Sequence, residues 1–175
     1  MEFPLHLHRH HWERRSPDWF AAAVSGLAGG AVLMVLELLW AAAMDAAGPW
    51  RVSQLVAALV LGPGVLEGSA FTFAPGVVAV ALLTHYALGI VFGLVLGLAA
   101  SRFGREEDAW VIPYAGALFG ALLYLFNFYG MVQFFPWFTE LRGWPTLIAH
   151  LVFGVAVALL YRKLARGQSS PRPVA

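Results

Sequence analysis

Four long runs of apolar residues alternate with short polar segments along the chain. A membrane-spanning helix needs about 20 predominantly apolar residues. The four runs reach this length and predict spans over about 19–45, 76–101, 111–135 and 145–161. Because backbone N–H and C=O groups find no partners in hydrocarbon, each span must satisfy its own groups as a helix. The runs do not alternate in polarity as barrel strands do. The pattern therefore predicts an all-α, integral-membrane four-helix bundle.

A shorter apolar segment lies between the first and second spans. Residues 50–62 are too few to cross a membrane, but their apolar positions follow the spacing of one helix face. These positions are Val52, Leu55, Val56, Leu59 and Val60. The Gly62-Pro63-Gly64 sequence then breaks the helix. The segment predicts a short interfacial or re-entrant helix, with a fifth span as the alternative.

Composition agrees with a lipid environment. Apolar residues make up 60% of the 175 residues and charged residues 12%, about half the share in soluble domains. The mean hydropathy is +0.71. A net charge of +1 gives no broad basic face, so no nucleic-acid partner is predicted. The absence of cysteine excludes disulfides and thiol nucleophiles. The predicted partner of most of the surface is therefore membrane lipid.

The basic residues predict the orientation. Nine of the eleven Lys and Arg residues would lie on one side of the membrane, and only Arg51 and Arg142 on the other. The positive-inside rule then places both termini in the cytoplasm. The predicted organisation is a His- and Arg-rich tail over 1–18, a four-helix domain over 19–161 and a basic tail over 162–175. A fifth span would put the second tail outside, which argues against it.

Two parts of the chain resemble each other. GLAGGAVLMVLE in the first span aligns with GALFGALLYLFN in the third at an offset of 90 residues, and the second and fourth spans align at 65. The matched pairs are Gly26 with Gly116, Gly30 with Gly120, Glu37 with Asn127, His85 with His150, and Gly89 with Gly154. The alignment predicts two helical hairpins in parallel repeat, with chance similarity among Gly- and Leu-rich spans as the alternative. Small residues at these positions allow close helix packing.

The same alignment predicts a polar intramembrane cluster of Glu37, His85, Asn127 and His150. Ionisable groups within spans are costly and usually face the protein interior. Three interpretations remain open: a packing network, a site for haem b or a divalent metal, and a path for protons or a solute. The histidines are single on each helix, without the close pairing of strong metal-binding helices. No cofactor is therefore predicted outright.

Other chemical signals are weak. The amino-terminal HLHRHH sequence has a metal-binding composition, but a solvated basic tail explains it as well. The chain has no G-x-S-x-G, phosphate-binding loop or H-E-x-x-H motif. These absences favour a non-enzymatic role.

Several short motifs together resemble the small bacterial inner-membrane proteins of the YagU type. They are the glycine-rich residues 26–37, LTH at 83–85, FPWF at 135–138 and AHLVF at 149–153. The resemblance covers roughly residues 20–162 and implies a bacterial inner-membrane location, without a defined activity. We therefore expect a non-catalytic accessory subunit of a larger membrane complex, with respiratory or redox proteins or further copies of this chain as its partners. The alternative is a cofactor-, proton- or solute-handling protein that uses Glu37, His85 and His150.

Overall fold

The computed structural model describes residues 16–67, 72–101 and 110–167. These ranges contain no strand and five α-helices: α1 (Trp19–Met44), α2 (Trp50–Leu61), α3 (Pro75–Ala100), α4 (Val111–Leu125) and α5 (Trp144–Gly167). Four helical segments, namely α1, α3, α4 with its continuation to Gln133, and α5, are long and apolar enough to cross a membrane. The predicted all-α bundle with one additional short helix is confirmed.

Local sequence signals set the ends of the first two helices. The side chain of Asp18 caps α1 by accepting a hydrogen bond of 2.9 Å from the backbone N–H of Ala21. Gly48, with φ of +80°, forms the turn that precedes Pro49. Gly62, with φ of +83°, ends α2 before a short 3-10 turn. Glycine adopts such positive φ values without steric cost, so the predicted break at Gly62 is observed, and Gly48 provides a second break before α2.

The helix that begins with α4 changes its winding before it ends. It continues as a π-helical turn over Phe126–Gly130 and a 3-10 turn over Met131–Gln133. A second 3-10 helix begins at Pro136, where proline cannot donate a backbone hydrogen bond. The Nε–H of Arg142 donates to the Phe128 carbonyl at 2.7 Å within this region. The predicted third span is therefore helical nearly throughout, but not with uniform α-helical geometry.

The last helix is longer than predicted. The apolar run ends at Tyr161, whereas α5 continues to Gly167. Arg162, Lys163 and Leu164 are good helix formers, so the backbone ladder continues beyond the apolar run. The first part of the predicted basic tail is thus helical. Residues 168–175 and the histidines of the amino-terminal tail lie outside the described residues.

The long helices pack in the order α3–α1–α5–α4. α1 contacts both α3 and α5, and α4 packs mainly against α5. The backbone N–H of Asp18 donates to the Tyr161 hydroxyl at 3.3 Å, while Trp40 meets Trp144 edge-on with ring centroids 4.7 Å apart. α1 and α5 are therefore antiparallel. We call the end of the bundle near Asp18 and Tyr161 the termini end, and the opposite end the α2 end.

Glycine contacts join the helices of each hairpin. A Cβ atom added to Gly26 would overlap the Gly89 carbonyl oxygen and lie 2.9 Å from the Gly93 Cα. A Cβ atom added to Gly116 would lie 2.6 Å from the Gly154 carbonyl oxygen. Gly26 with Gly89 and Gly116 with Gly154 are equivalent pairs in the predicted repeat. The two hairpins therefore make the same backbone contact, which supports the repeat.

A larger core forms where the two hairpins meet. A Cβ atom added to Gly29 of α1 would overlap Val157 of α5 and lie 3.3 Å from the ring of Phe153. Val157 and Phe153 are both almost completely buried. Gly29 thus gives α5 close access to α1, and this contact joins the first hairpin to the second.

Candidate intramembrane polar site

Glu37 of α1 and His85 of α3 line the same small cavity. The cavity has a volume of about 30 Å³, which is enough for at least one water molecule. Its other lining residues come from three helices and are Met34, Leu38, Val52, Ser53, Val56, Ala81 and Leu82. Two members of the predicted cluster are therefore neighbours in a space that is otherwise mainly apolar.

A backbone contact orients His85. Its Nε2 lies 3.0 Å from the carbonyl oxygen of Gly30 on the facing helix. Since a carbonyl oxygen only accepts hydrogen bonds, Nε2 carries the hydrogen and donates it. In the neutral ring the lone pair then lies on Nδ1.

The short helix α2 covers this cavity with Val52, Ser53 and Val56. α2 also packs firmly against the bundle, because Leu55 is 1% exposed and Ala57 and Ala58 are buried.

The buried face of α2 differs in part from the predicted face. Val60, predicted on the apolar side, is 65% exposed. The spacing of apolar residues predicted the helix but not its full contact surface. Ala57 and Ala58 pack closely, but alanine is too weakly hydrophobic to mark a buried face in the sequence.

His150 has different surroundings from His85. Its Nδ1–H donates to the Thr146 carbonyl oxygen of its own helix at 2.8 Å. The ring centroids of Phe128 and Tyr124 lie 5.3 and 6.0 Å from the imidazole centroid. His150 is 5% exposed and does not line the cavity that contains Glu37. An aromatic cluster of the second hairpin therefore encloses this histidine.

Asn127 also belongs to the second hairpin. It lies in the π-helical turn and is partly buried. It stands seven residues beyond Gly120, as Glu37 stands seven residues beyond Gly30. Asn127 does not line the cavity of Glu37 and His85. The structure thus places the four predicted residues in two separate environments, one in each hairpin.

The cavity contains few charged or metal-ligating groups. Among the described residues that line it, none is Lys or Arg. Within residues 16–67, 72–101 and 110–167, no group of three His, Asp or Glu side chains is arranged to hold a metal ion. Glu37 and His85 are therefore the only ionisable residues in the described lining of the cavity.

A group of ion pairs lies at the α2 end. Nη1 of Arg51 contacts Oδ2 of Asp45 at 3.2 Å, and Nη2 contacts Oε2 of Glu140 at 2.6 Å. The hydrogen bond with Glu140 raises the pKa of Arg51 above its ordinary value, although partial burial opposes this shift. The guanidinium therefore stays charged and links α2 to the turn before α5.

Two residues that were not predicted as members of the site hold α2 or line the cavity. The indole N–H of Trp137 donates to the Leu55 carbonyl at 3.1 Å, and Ser53 supplies the hydroxyl in the cavity lining. The FPWF motif contains this tryptophan, but a sequence motif does not reveal its bond partner. The contact depends on the path of the long connection between the helices.

The chain matches no protein-family model, no curated protein and no solved structure with which it was compared. The relation to the YagU type stays a prediction from the short sequence motifs.

Proposed function

We propose that the chain is a small, non-catalytic accessory subunit that packs against larger proteins in a bacterial inner-membrane complex. The complex would be of a respiratory or other redox type, with the YagU-like proteins as relatives. Both termini of the subunit would lie in the cytoplasm, as the distribution of basic residues predicts. One observation carries the proposal: α4 lies at the edge of the bundle and presents a row of large, exposed side chains.

The uncovered side of α4 has the spacing of a helix-packing surface. Large side chains recur every three or four residues along it, and each is more than half exposed. These residues, which we call the α4 stripe, are Tyr114, Leu118, Leu122, Leu125 and Tyr129. Residues at such intervals lie along one side of a helix. The stripe offers a partner helix a continuous set of side chains.

Lipid alone would also cover such a surface, because acyl chains are as apolar as leucine. The partner therefore has to be tested directly. A photo-crosslinking amino acid at Leu118 or Leu122 should yield one adduct of the same larger membrane protein from native membranes. The same amino acid at Leu83 of α3, which is 72% exposed, is the matched control and should yield no such adduct.

Two further results complete this test. Gentle detergent extraction should co-purify the same partner in a fixed stoichiometry. Leu118→Ala combined with Leu122→Ala should reduce that recovery at least about tenfold, the equivalent of about 1.4 kcal/mol. Adducts only to lipid or to a second copy of this chain, from a fully folded protein, would contradict the proposal.

Haem or metal binding by His85 and His150 is the alternative function. Each ring uses one nitrogen in a backbone hydrogen bond and keeps the other for a ligand. We expect the purified chain to be colourless under the accessory-subunit proposal. A haem absorption band in the chain purified alone, lost in both His85→Ala and His150→Ala, would establish the alternative.

A further inference from the structure

We infer that Glu37 and His85 together form a binding site for one exchangeable proton. The inference does not depend on the accessory role, because it concerns only the cavity within the first hairpin. Both side chains line that cavity, and no Lys or Arg of the described chain lines it with them. An unpaired carboxylate in an apolar interior is strongly disfavoured. Since no described Lys or Arg side chain supplies the missing positive charge in the cavity, a proton is the smallest cation that can supply it.

One proton keeps the pair neutral in two arrangements. In the first, Glu37 is a carboxylic acid beside a neutral imidazole. In the second, the O–H bond of Glu37 has broken and a new N–H bond has formed on His85, which gives a carboxylate beside an imidazolium. No electrons are gained or lost, and the net charge is zero in both. Loss of the proton to solvent leaves one net negative charge in the cavity.

The hydrogen bond to Gly30 determines which nitrogen of His85 takes part. Nε2 already carries a hydrogen that it donates to the Gly30 carbonyl at 3.0 Å. Only Nδ1 has a lone pair that accepts a further proton. The imidazolium would then keep its bond to Gly30 while it carries the second hydrogen on Nδ1. The proton can therefore move without rotation of the ring.

The size of the cavity suits this role. Its volume of about 30 Å³ admits at least one water molecule, which needs two or more polar partners. The carboxyl of Glu37, the imidazole of His85 and the hydroxyl of Ser53 are such partners. A water in the cavity would carry the proton between Glu37 and His85.

The charged and titratable side chains on the neighbouring helices make their ion pairs and hydrogen bonds outside the cavity. Arg51 of α2 contacts Asp45 and Glu140, and none of these three lines the cavity. On α5, His150 donates to Thr146 within the aromatic cluster. A charge on His150 would nevertheless repel a charge on His85, so His150 is a titratable group outside the cavity that acts on the pair.

The second hairpin provides an internal comparison. The repeat places Asn127 at the position of Glu37. Unlike a carboxyl group, the amide of Asn127 does not release or bind a proton. The first hairpin also has 25 more residues between its matched glycine and histidine, Gly26 and His85, than the second has between Gly116 and His150, and this longer stretch includes the whole of α2. The carboxyl group and the helix that covers it thus occur together in one hairpin and are both missing from the equivalent place in the other.

Infrared difference spectroscopy of the full-length protein in lipid vesicles tests the inference. Wild type should show a carboxylic-acid carbonyl band whose intensity follows pH as one titration. Glu37→Gln should remove the band, and Glu37→Asp should retain one. His85→Gln should change the proton affinity at least about tenfold, which is one unit in the midpoint. His150→Gln is the matched control and should move the midpoint less than His85→Gln does, because His150 lies outside the cavity.

Thermal unfolding and gel filtration of each variant establish that it is folded before its spectrum is compared. A carboxylic-acid band that persists in folded Glu37→Gln would overturn the inference. So would a midpoint that folded His85→Gln leaves unchanged, or one that His150→Gln moves as far as His85→Gln does. Wild type with no titrating carboxyl band would also overturn it.

Discussion

Nη2 of Arg51 lies 2.6 Å from Oε2 of Glu140, although 89 residues separate them in the sequence. The contact ties α2 of the first hairpin to the turn between α4 and α5. The Trp137 bond to the Leu55 carbonyl spans the same two regions. Polar contacts at the α2 end therefore join the two hairpins, whereas close contacts involving glycine join the helices inside the membrane.

The ion pair gives a prediction about stability and pH. Glu140→Gln should lower the free energy of unfolding by about 0.5–1 kcal/mol, the range for partly exposed pairs. Because the pKa of Arg51 is raised in the folded state, the contribution of the pair is fully present below the ordinary arginine pKa and is lost only as the pH rises above it. The difference in the free energy of unfolding between wild type and Glu140→Gln should therefore be constant from about pH 6 to about pH 10. Denaturant unfolding across this range measures it, and a deficit that disappears towards pH 10 would contradict it.

The glycine contacts predict a position-dependent effect of alanine. A Cβ atom at Gly120 would overlap the carbonyl oxygen of His150, so Gly120→Ala should force α4 and α5 apart. We expect a loss of about 1–3 kcal/mol, as for overpacked cores. Gly76→Ala is the control, because a Cβ atom there meets nothing within 4 Å. Thermal unfolding in detergent should show a lower midpoint for Gly120→Ala only; equal midpoints would refute the close approach of α4 to α5 at this glycine.

The Trp137 hydrogen bond predicts how firmly α2 is held. Trp137→Phe keeps an aromatic ring but removes the N–H that Leu55 accepts, which should cost about 1 kcal/mol. Hydrogen exchange of the α2 amides should become faster, while exchange in the α4 and α5 amides changes little. Trp110→Phe is the matched control, since Trp110 is 75% exposed. Unchanged exchange in α2 would show that the bond does not hold the helix.

The basic residues predict the topology. A reporter fused after residue 170 should be active only in the cytoplasm, and one inserted within residues 66–70 only outside it. The reason is the distribution of Lys and Arg, with nine on one side and two on the other. Paired reporters that are active in opposite compartments check each position independently. An external carboxyl terminus would require an odd number of spans and contradict the predicted four.

The sequence predicted the spanning helices well because the constraint in hydrocarbon is simple: length, low polarity and an internal hydrogen-bond ladder. It predicted the glycine contacts because the spacing from Gly26 to Gly30 recurs from Gly116 to Gly120. It did not predict the π-helical turn at Phe126, since apolar periodicity does not distinguish small changes in winding. The end of α5 was also missed, because a helix continues into water wherever its residues permit.

The candidate site was predicted only in part. The alignment of the hairpins selected Glu37 and His85, and the structure brings them to one cavity. The alignment also suggested that His150 and Asn127 would join them. The position of a residue along its helix does not, however, determine which neighbouring helix its side chain faces. The contribution of Ser53 depends on how α2 folds back over the hairpin. That path depends on long-range contacts such as the one between Trp137 and Leu55.

The central position of α5 has a consequence for biosynthesis. α5 contacts both α1 and α4, and of these helices it is the last to leave the ribosome. α1 and α3 can already meet during translation through Gly26 and Gly89, whereas α4 must wait in the bilayer without its main neighbour. A ribosome stalled before residue 144 would thus leave the packed hairpin of α1 and α3 together with an unpacked α4. Membrane quality-control proteases would encounter the chain in this partly assembled form.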